Sequence, residues 1–200
     1  MRDPQPGEWD AAKLSQQHVG DYKPFVFVDG QGVRCSLYVS GCLFACDGCF
    51  NEAVWSFRYG HPYTDELEDQ ILADLAQPYV QGLTLLGGEP FLNTQVCLRL
   101  VARMRAELPA TKDVWAWSGY TFEELLVDTP DKVELLEQVD VLVDGRFMAD
   151  LADRRLAFRG SSNQRLIDVR ASLAAGHPIE WTGHTDASAM FEQVERRALI

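Results

Sequence analysis

Short runs rich in β-branched and aromatic residues alternate along this chain with stretches whose apolar residues recur at helical spacing, and that alternation commits it to an α/β sheet. Tyr22–Asp29 and Val33–Val39 read as two strands around the turn Gly30-Gln31-Gly32. Thr64 or Asp65 caps a helix to about Ala76, with Leu67, Ile71, Leu72 and Leu75 on one face. Gly82–Leu86 is a buried strand ending in Gly87-Gly88, and Thr94–Leu108 a helix stopped by Pro109. Asp113–Trp117 is a strand, Thr121 the N-cap of a helix from Phe122, and Val139–Val143 a strand closed by Asp144-Gly145. Strands alternating with helices predict parallel βαβ units, whose sites lie at the carboxyl ends of the strands. Gly41-Cys42, the GGEP run at 87–90, Ser118-Gly119-Tyr120 and Asp144-Gly145 should therefore meet along one edge.

One of those loops carries Cys42, Cys46 and Cys49 in the run GCLFACDGCFN, a C-x3-C-x2-C spacing. Three thiolates so placed can hold three irons of a [4Fe–4S] cube and leave the fourth open to a ligand. The spacing alone leaves other readings open. A zinc site would need a fourth ligand from Cys35, His61 or Cys97. Cys46-Asp47-Gly48-Cys49 could be a redox pair, though Cys42 would then be superfluous. Three small residues on one buried helical face are disfavoured by Gly41, Asp47 and Gly48, which favour a loop.

With 200 residues, 46% hydrophobic and 24% charged, the chain has the composition of one soluble domain. No apolar stretch is long enough for a bilayer, and MRDPQPGEWD lacks a secretory core, so no membrane role is expected. Five cysteines, three of them clustered, suit a reducing, cytoplasmic setting. A net charge of −12 weighs against nucleic acid; only the stretch Arg154–Arg170 concentrates arginines, and a solvated loop explains it equally well.

Taken in order, VRCSLYVSGC, the last two cysteines with CFN, EDQI, GGEP, VWAWSGYT, VLVDGRF and FRGSSNQR resemble the radical S-adenosylmethionine superfamily. Within it, they resemble the proteins that activate anaerobic ribonucleoside-triphosphate reductase. The resemblance spans roughly residues 20–170. It implies a partial (β/α) barrel with a mostly parallel sheet at 21–170, flanked by extensions at 1–20 and 171–200 of no assigned role. It also implies that Cys42, Cys46 and Cys49 hold a [4Fe–4S] cluster whose open iron takes S-adenosyl-L-methionine. Gly48 and Phe50 would border adenine or cluster, Gly87 and Gly88 would meet the methionine ammonium with Glu89 nearby, and Ser118 would lie close to the cofactor.

The chemistry so implied is reductive cleavage of the sulfonium to a 5′-deoxyadenosyl radical, which takes hydrogen from a glycine Cα of the reductase large subunit. It needs a low-potential donor, a flavodoxin or ferredoxin, near the bottom of the range of about −700 to +450 mV open to iron–sulfur proteins. Leu43, Phe44, Phe50 and Trp55 could keep the site dry. Asp29 and Arg34, in a DGPGxR-like run with Gln31 in place of proline, Asp144, and Arg159 and Asn163 in FRGSSNQR would dock the partner. Cys35 and Cys97 are expected as buried structural thiols. Three other activities remain in view: activation of a formate-lyase type of glycyl-radical enzyme, small-molecule radical catalysis, and a zinc-stabilised binding module.

Overall fold

The computed structural model describes residues 4–187. A single seven-stranded sheet organises them, in the order β3-β1-β2-β4-β5-β6-β7. The strands are β1 (His18–Val26), β2 (Val33–Val39), β3 (His61–Pro62), β4 (Val80–Gly87), β5 (Asp113–Trp117), β6 (Val141–Asp144) and β7 (Arg165–Asp168). The helices are α1 (Ala11–Leu14), α2 (Asp65–Leu75), α3 (Thr94–Glu107), α4 (Phe122–Leu126), α5 (Pro130–Gln138) and α6 (Val169–Ala175).

The central strands β2, β4, β5 and β6 run parallel, as a strand–helix alternation requires. The flanks depart from the expected mostly parallel sheet: β1 pairs antiparallel with β2, β3 with β1, and β7 with β6. A short turn such as 27–32 can join only antiparallel neighbours, and β7 returns from β6 with no helix between them except one 3-10 turn. The sheet is open, since β3 and β7 end the order without pairing to each other.

Strand alternation sends residues to two faces. Cys35, Leu37 and Val39 of β2, Val114 and Ala116 of β5 and Leu142 of β6 join the main core with Ile71, Leu72 and Leu75 of α2 and Val96, Leu100, Val101 and Met104 of α3. Thr64 caps α2 by accepting from Leu67 N–H, and Thr121 and Glu124 form a reciprocal capping box on α4. Cys35 and Cys97 are both buried in this core.

The opposite face carries a smaller cluster of Trp115, Val141, Val143 and Leu166, with Trp117, Phe158 and Trp181 against it. Arg34 projects into this face at 0% exposure. Its Nε donates to Thr84 Oγ1 at 2.7 Å and its Nη2 to the Leu83 carbonyl at 2.7 Å. Asp113 pairs with it at 2.6 Å, and its guanidinium lies 5.2 Å from the Trp115 ring centre. Arg34 therefore serves the interior, which corrects its reading as a partner contact. An arginine near the start of a strand looks like a surface residue, but carbonyls from the preceding turn and β4 and a carboxylate from β5 satisfy it completely enough to be buried.

Truncation to Arg34→Ala should cost about 3–5 kcal/mol of stability, because buried carbonyls and Asp113 lose their partner together. Denaturant melts of the two proteins would measure it.

Candidate functional site

All four loops singled out above reach one cavity of about 230 Å³. Cys42, Cys46 and Cys49 line it together with Gly87, Gly88, Glu89, Ser118, Gly119 and Gly145. Phe44, Phe50 and Trp55 supply its apolar wall. Gly48, at φ +71° between two of the cysteines, does not itself line the cavity; a Cβ there would lie 3.6 Å from both Phe147 and Ala149. A second cavity of about 780 Å³, lined by Asp47, Glu123, Asp144, Asn163 and Arg165 among others, shares Gly145 and Phe147 with the first. Small-molecule sites run to roughly 300–1,000 Å³, so the two spaces together match a cofactor site better than the first alone.

The cysteine loop is held from below by its own return. Gly41 N–H donates to the Val54 carbonyl at 2.8 Å and Cys42 N–H to the Trp55 carbonyl at 3.1 Å, folding the 3-10 turn Glu52–Trp55 back on the strand end. Ala45 takes a left-handed φ of 46°, and Asn51 N–H donates to Cys49 Sγ at 3.4 Å. Phe44 points inward at 1% exposure, with Trp9 and Tyr120 edge-on at 4.9 Å each and the Arg146 guanidinium at 4.8 Å. That ring leaves no room for a side chain at Gly119, where a Cβ would come within 2.4 Å of it.

The glycines of GGEP work by close approach. A Cβ on Gly88 would lie 2.6 Å from the Gly41 carbonyl, and the Gly88 and Glu89 N–H groups donate to Val39 and Gly41 at 2.7 and 2.8 Å. Glu89 itself is 1% exposed. Its carboxylate accepts from Ser118 Oγ at 2.9 Å, Gly119 N–H at 2.8 Å and Phe91 N–H at 3.1 Å. The β4 and β5 loops are thus tied to each other, and Ser118 meets Glu89 first. Burial pushes the Glu89 carboxyl up to about 7, against those three donors, which pull it down.

Burial, and next the Glu89 charge, push the Cys42 thiol up to about 12; burial also raises Cys46. Such thiols ionise only against a strong positive charge, which metal coordination supplies. Soft sulfur donors on one wall suit iron–sulfur chemistry. Among the described residues no three His, Cys, Asp or Glu side chains are gathered to hold a single metal ion, whereas a cube is ligated at separate corners. Cys35, His61 and Cys97, the candidates for a fourth zinc ligand, do not line the cavity.

Of the remaining residues, Asp144 is 1% exposed and its carboxylate accepts from Phe122 N–H at 2.8 Å and Arg165 Nε at 2.9 Å. It is an internal tie, which corrects its reading as a docking residue. Asp29 is half-buried and accepts from Tyr38 Oη at 2.8 Å. Asn163 donates to the Arg146 carbonyl at 2.8 Å, and Arg159 pairs with Asp186 at 2.7 Å. Sequence reasoning missed Trp9, whose segment shows no strand or helix signal, and the Lys132–Asp128 pair at 3.0 Å that anchors Tyr120 from behind.

One outcome follows from Glu89 and another from the packing at Gly119. Because its folded pKa of about 7 exceeds the ordinary 4.5, the folded apoprotein holds the extra proton between these values, and stability falls as pH rises through that window. Glu89→Gln should flatten that slope in melts from pH 4.5 to 7. Gly119→Ala should cost about 1–3 kcal/mol by driving Phe44 from its place, read in the same melts.

Comparison with known proteins completes this picture. A family model described as a 4Fe-4S single cluster domain matches residues 28–167. An anaerobic ribonucleoside-triphosphate reductase-activating protein of Vibrio cholerae is 46% identical over 147 residues, 72% of this chain and 92% of the relative. One from Pasteurella multocida is 48% identical over the same shares. One from Escherichia coli is 44% identical over 153 residues, 74% of this chain and 97% of the relative. The convergent cysteine, GGEP and SGY loops thus sit in a shared core, and the chain belongs to the family of anaerobic ribonucleoside-triphosphate reductase-activating proteins.

Proposed function

We propose that this chain generates the glycyl radical of an anaerobic ribonucleotide reductase, with a [4Fe–4S] cluster on Cys42, Cys46 and Cys49 and S-adenosyl-L-methionine as cofactors. The observation that carries this reading is the meeting of those three thiols with Gly87, Gly88 and Ser118 around one cavity at the strand ends. The reductase-activating role of the relatives points to the reductase as partner. When bound, the reduced cluster and S-adenosylmethionine supply one-electron cleavage to a 5′-deoxyadenosyl radical that abstracts hydrogen from a glycine Cα.

The chain's own residues bind, orient and shield. Gly87 and Gly88 line the cavity with no side chain, so the amino-acid end of the cofactor could approach the backbone closely there. Glu89 acts by holding Ser118 and Gly119 at fixed distance, and through its charge attracts an ammonium. Gly48 and Phe50 border the cluster side. Phe50 is 79% exposed and rests against Phe147 at 5.4 Å, so this wall excludes water only when something covers it. A protein substrate does so, which favours the reductase over a small molecule.

Docking would draw on Asp29, Arg159 and Asn163, which lie at the half-buried margin of the fold. The electron comes from an external flavodoxin or ferredoxin, in a cytoplasmic, reducing setting. No helix among the described residues is long and apolar enough to cross a membrane. Residues 21–170 form the catalytic domain, with 1–20 and 171–200 as additions.

Electron paramagnetic resonance of anaerobic, dithionite-reduced protein tests this directly. A cluster signal that shifts on adding S-adenosylmethionine is expected, followed by a glycyl radical on added reductase. Cys42→Ser, Cys46→Ser and Cys49→Ser should each lose bound iron, while Cys97→Ala keeps it. A reconstituted protein with zinc and no signal would overturn the reading.

A further inference from the structure

Beyond the region matched by the family model, the chain continues past Ile167 and lies back over the core. Residues 179–181 extend the sheet: Asp168 N–H donates to the Ile179 carbonyl at 2.9 Å and Trp181 N–H to the Leu166 carbonyl at 2.8 Å. Trp181 packs edge-on against Trp115 at 4.9 Å, and His184 stacks on Trp181 at 5.8 Å. Gln31 Nε2 reaches the Gly183 carbonyl at 3.4 Å. Farther along, Asp186 Oδ1 accepts from Ala157 N–H at 2.7 Å and Ala187 N–H donates to the Arg155 carbonyl at 2.8 Å.

Arg159 Nη2 contacts both oxygens of that carboxylate, at 2.8 and 2.7 Å. The guanidinium is nonetheless incompletely served: Arg159 Nε is buried without a hydrogen-bond partner. A side-on carboxylate engages Nε and Nη2 in parallel, the stronger geometry for this pair. Asp186 makes the poorer contact and leaves a buried donor unpaired, which itself costs free energy. The site is therefore better suited to a carboxylate arriving from another direction than to the one it holds.

Its location gives that mismatch a use. Gly160 and Gln164, in the same loop, line the candidate cavity, and Gln164 Oε1 accepts from Gly160 N–H at 2.9 Å. The Phe158 carbonyl takes the Trp117 indole N–H at 3.1 Å. Moreover, the match with the Vibrio cholerae relative covers 92% of that protein and 72% of this one, so part of this chain lies outside that match.

We propose that Asp186 is a displaceable occupant of a carboxylate site built by Arg159 and the Ala157 N–H, and that an acidic side chain of the reductase large subunit replaces it. Residues 179–187 are then an autoinhibitory strap, released from β7 as the partner seats. The proposal rests on the functional reading above for the identity of the partner, and on the geometry alone for the strap.

Hydrogen exchange of the free protein and binding to the reductase large subunit test it with two variants. Asp186→Asn should lose exchange protection at Ala157, Asp168 and Trp181 while β4 and β5 stay protected, and should bind the reductase about tenfold more tightly. Arg159→Gln should lose the same protection yet bind more weakly than wild type, because the receiving group is gone. Unchanged protection in Asp186→Asn, or tighter binding by both variants, overturns the exchange. A wild-type chain that does not bind the reductase at all sinks the functional reading instead, and the exchange data on the free protein still report whether the strap is latched by Asp186.

Discussion

Everything distinctive about this molecule hangs on a carboxylate placed where water cannot reach it. Glu89 leaves β4 at its carboxyl end and takes hydrogen bonds from the loop after β5, so two adjacent parallel strands present their ends at a fixed separation. Burial makes that carboxyl expensive to ionise, and its three donors offset part of the expense. A neutral side chain could bridge the same gap, but it would bring no field to the cavity it lines. The tie and the charge are one residue, placed by a sequence of four.

Packing then transmits this order to the cysteines. Phe44 stands between Cys42 and Cys46 in sequence and is pressed against Gly119 in space, the residue that Glu89 holds. Trp9, Tyr120 and Arg146 surround the same ring. The cysteine loop, which has little regular structure of its own, thereby inherits the position of the sheet. On the other face Arg34 performs a comparable service, joining β2, β4 and β5 through Thr84, Leu83 and Asp113.

The central strands and long helices were legible because burial on one or both faces imposes a period, and caps at Thr64 and Thr121 mark the starts. The convergence of the four loops was legible for the same reason, since parallel strands have one carboxyl edge. Much of what escaped had no period to show: β3 is two exposed residues, α1 one turn, and β7 four residues inside an arginine-rich stretch, whereas α5 does have an apolar face but was not separated from the helix expected from Phe122. Arg34 and Asp144 were misread because a charged residue announces solvent in a sequence, and only the three-dimensional arrangement reveals partners from strands and loops far along the chain. The antiparallel flanks follow from turn length and the lack of a helical crossover, signals that local periodicity does not weigh.

The pairing of residues 179–181 along β7 also bears on self-association. An open sheet offers unpaired backbone at both ends, a template for aggregation. Here one margin is reduced to the two residues of β3, and the other is screened by the segment that Asp186 secures. Releasing that segment would bare a short row of amides and carbonyls on β7, so a partner that opens it must also cover it. Any condition that unlatches the chain without a partner present would leave a sticky edge, and purified protein should be most prone to clump when the latch is broken.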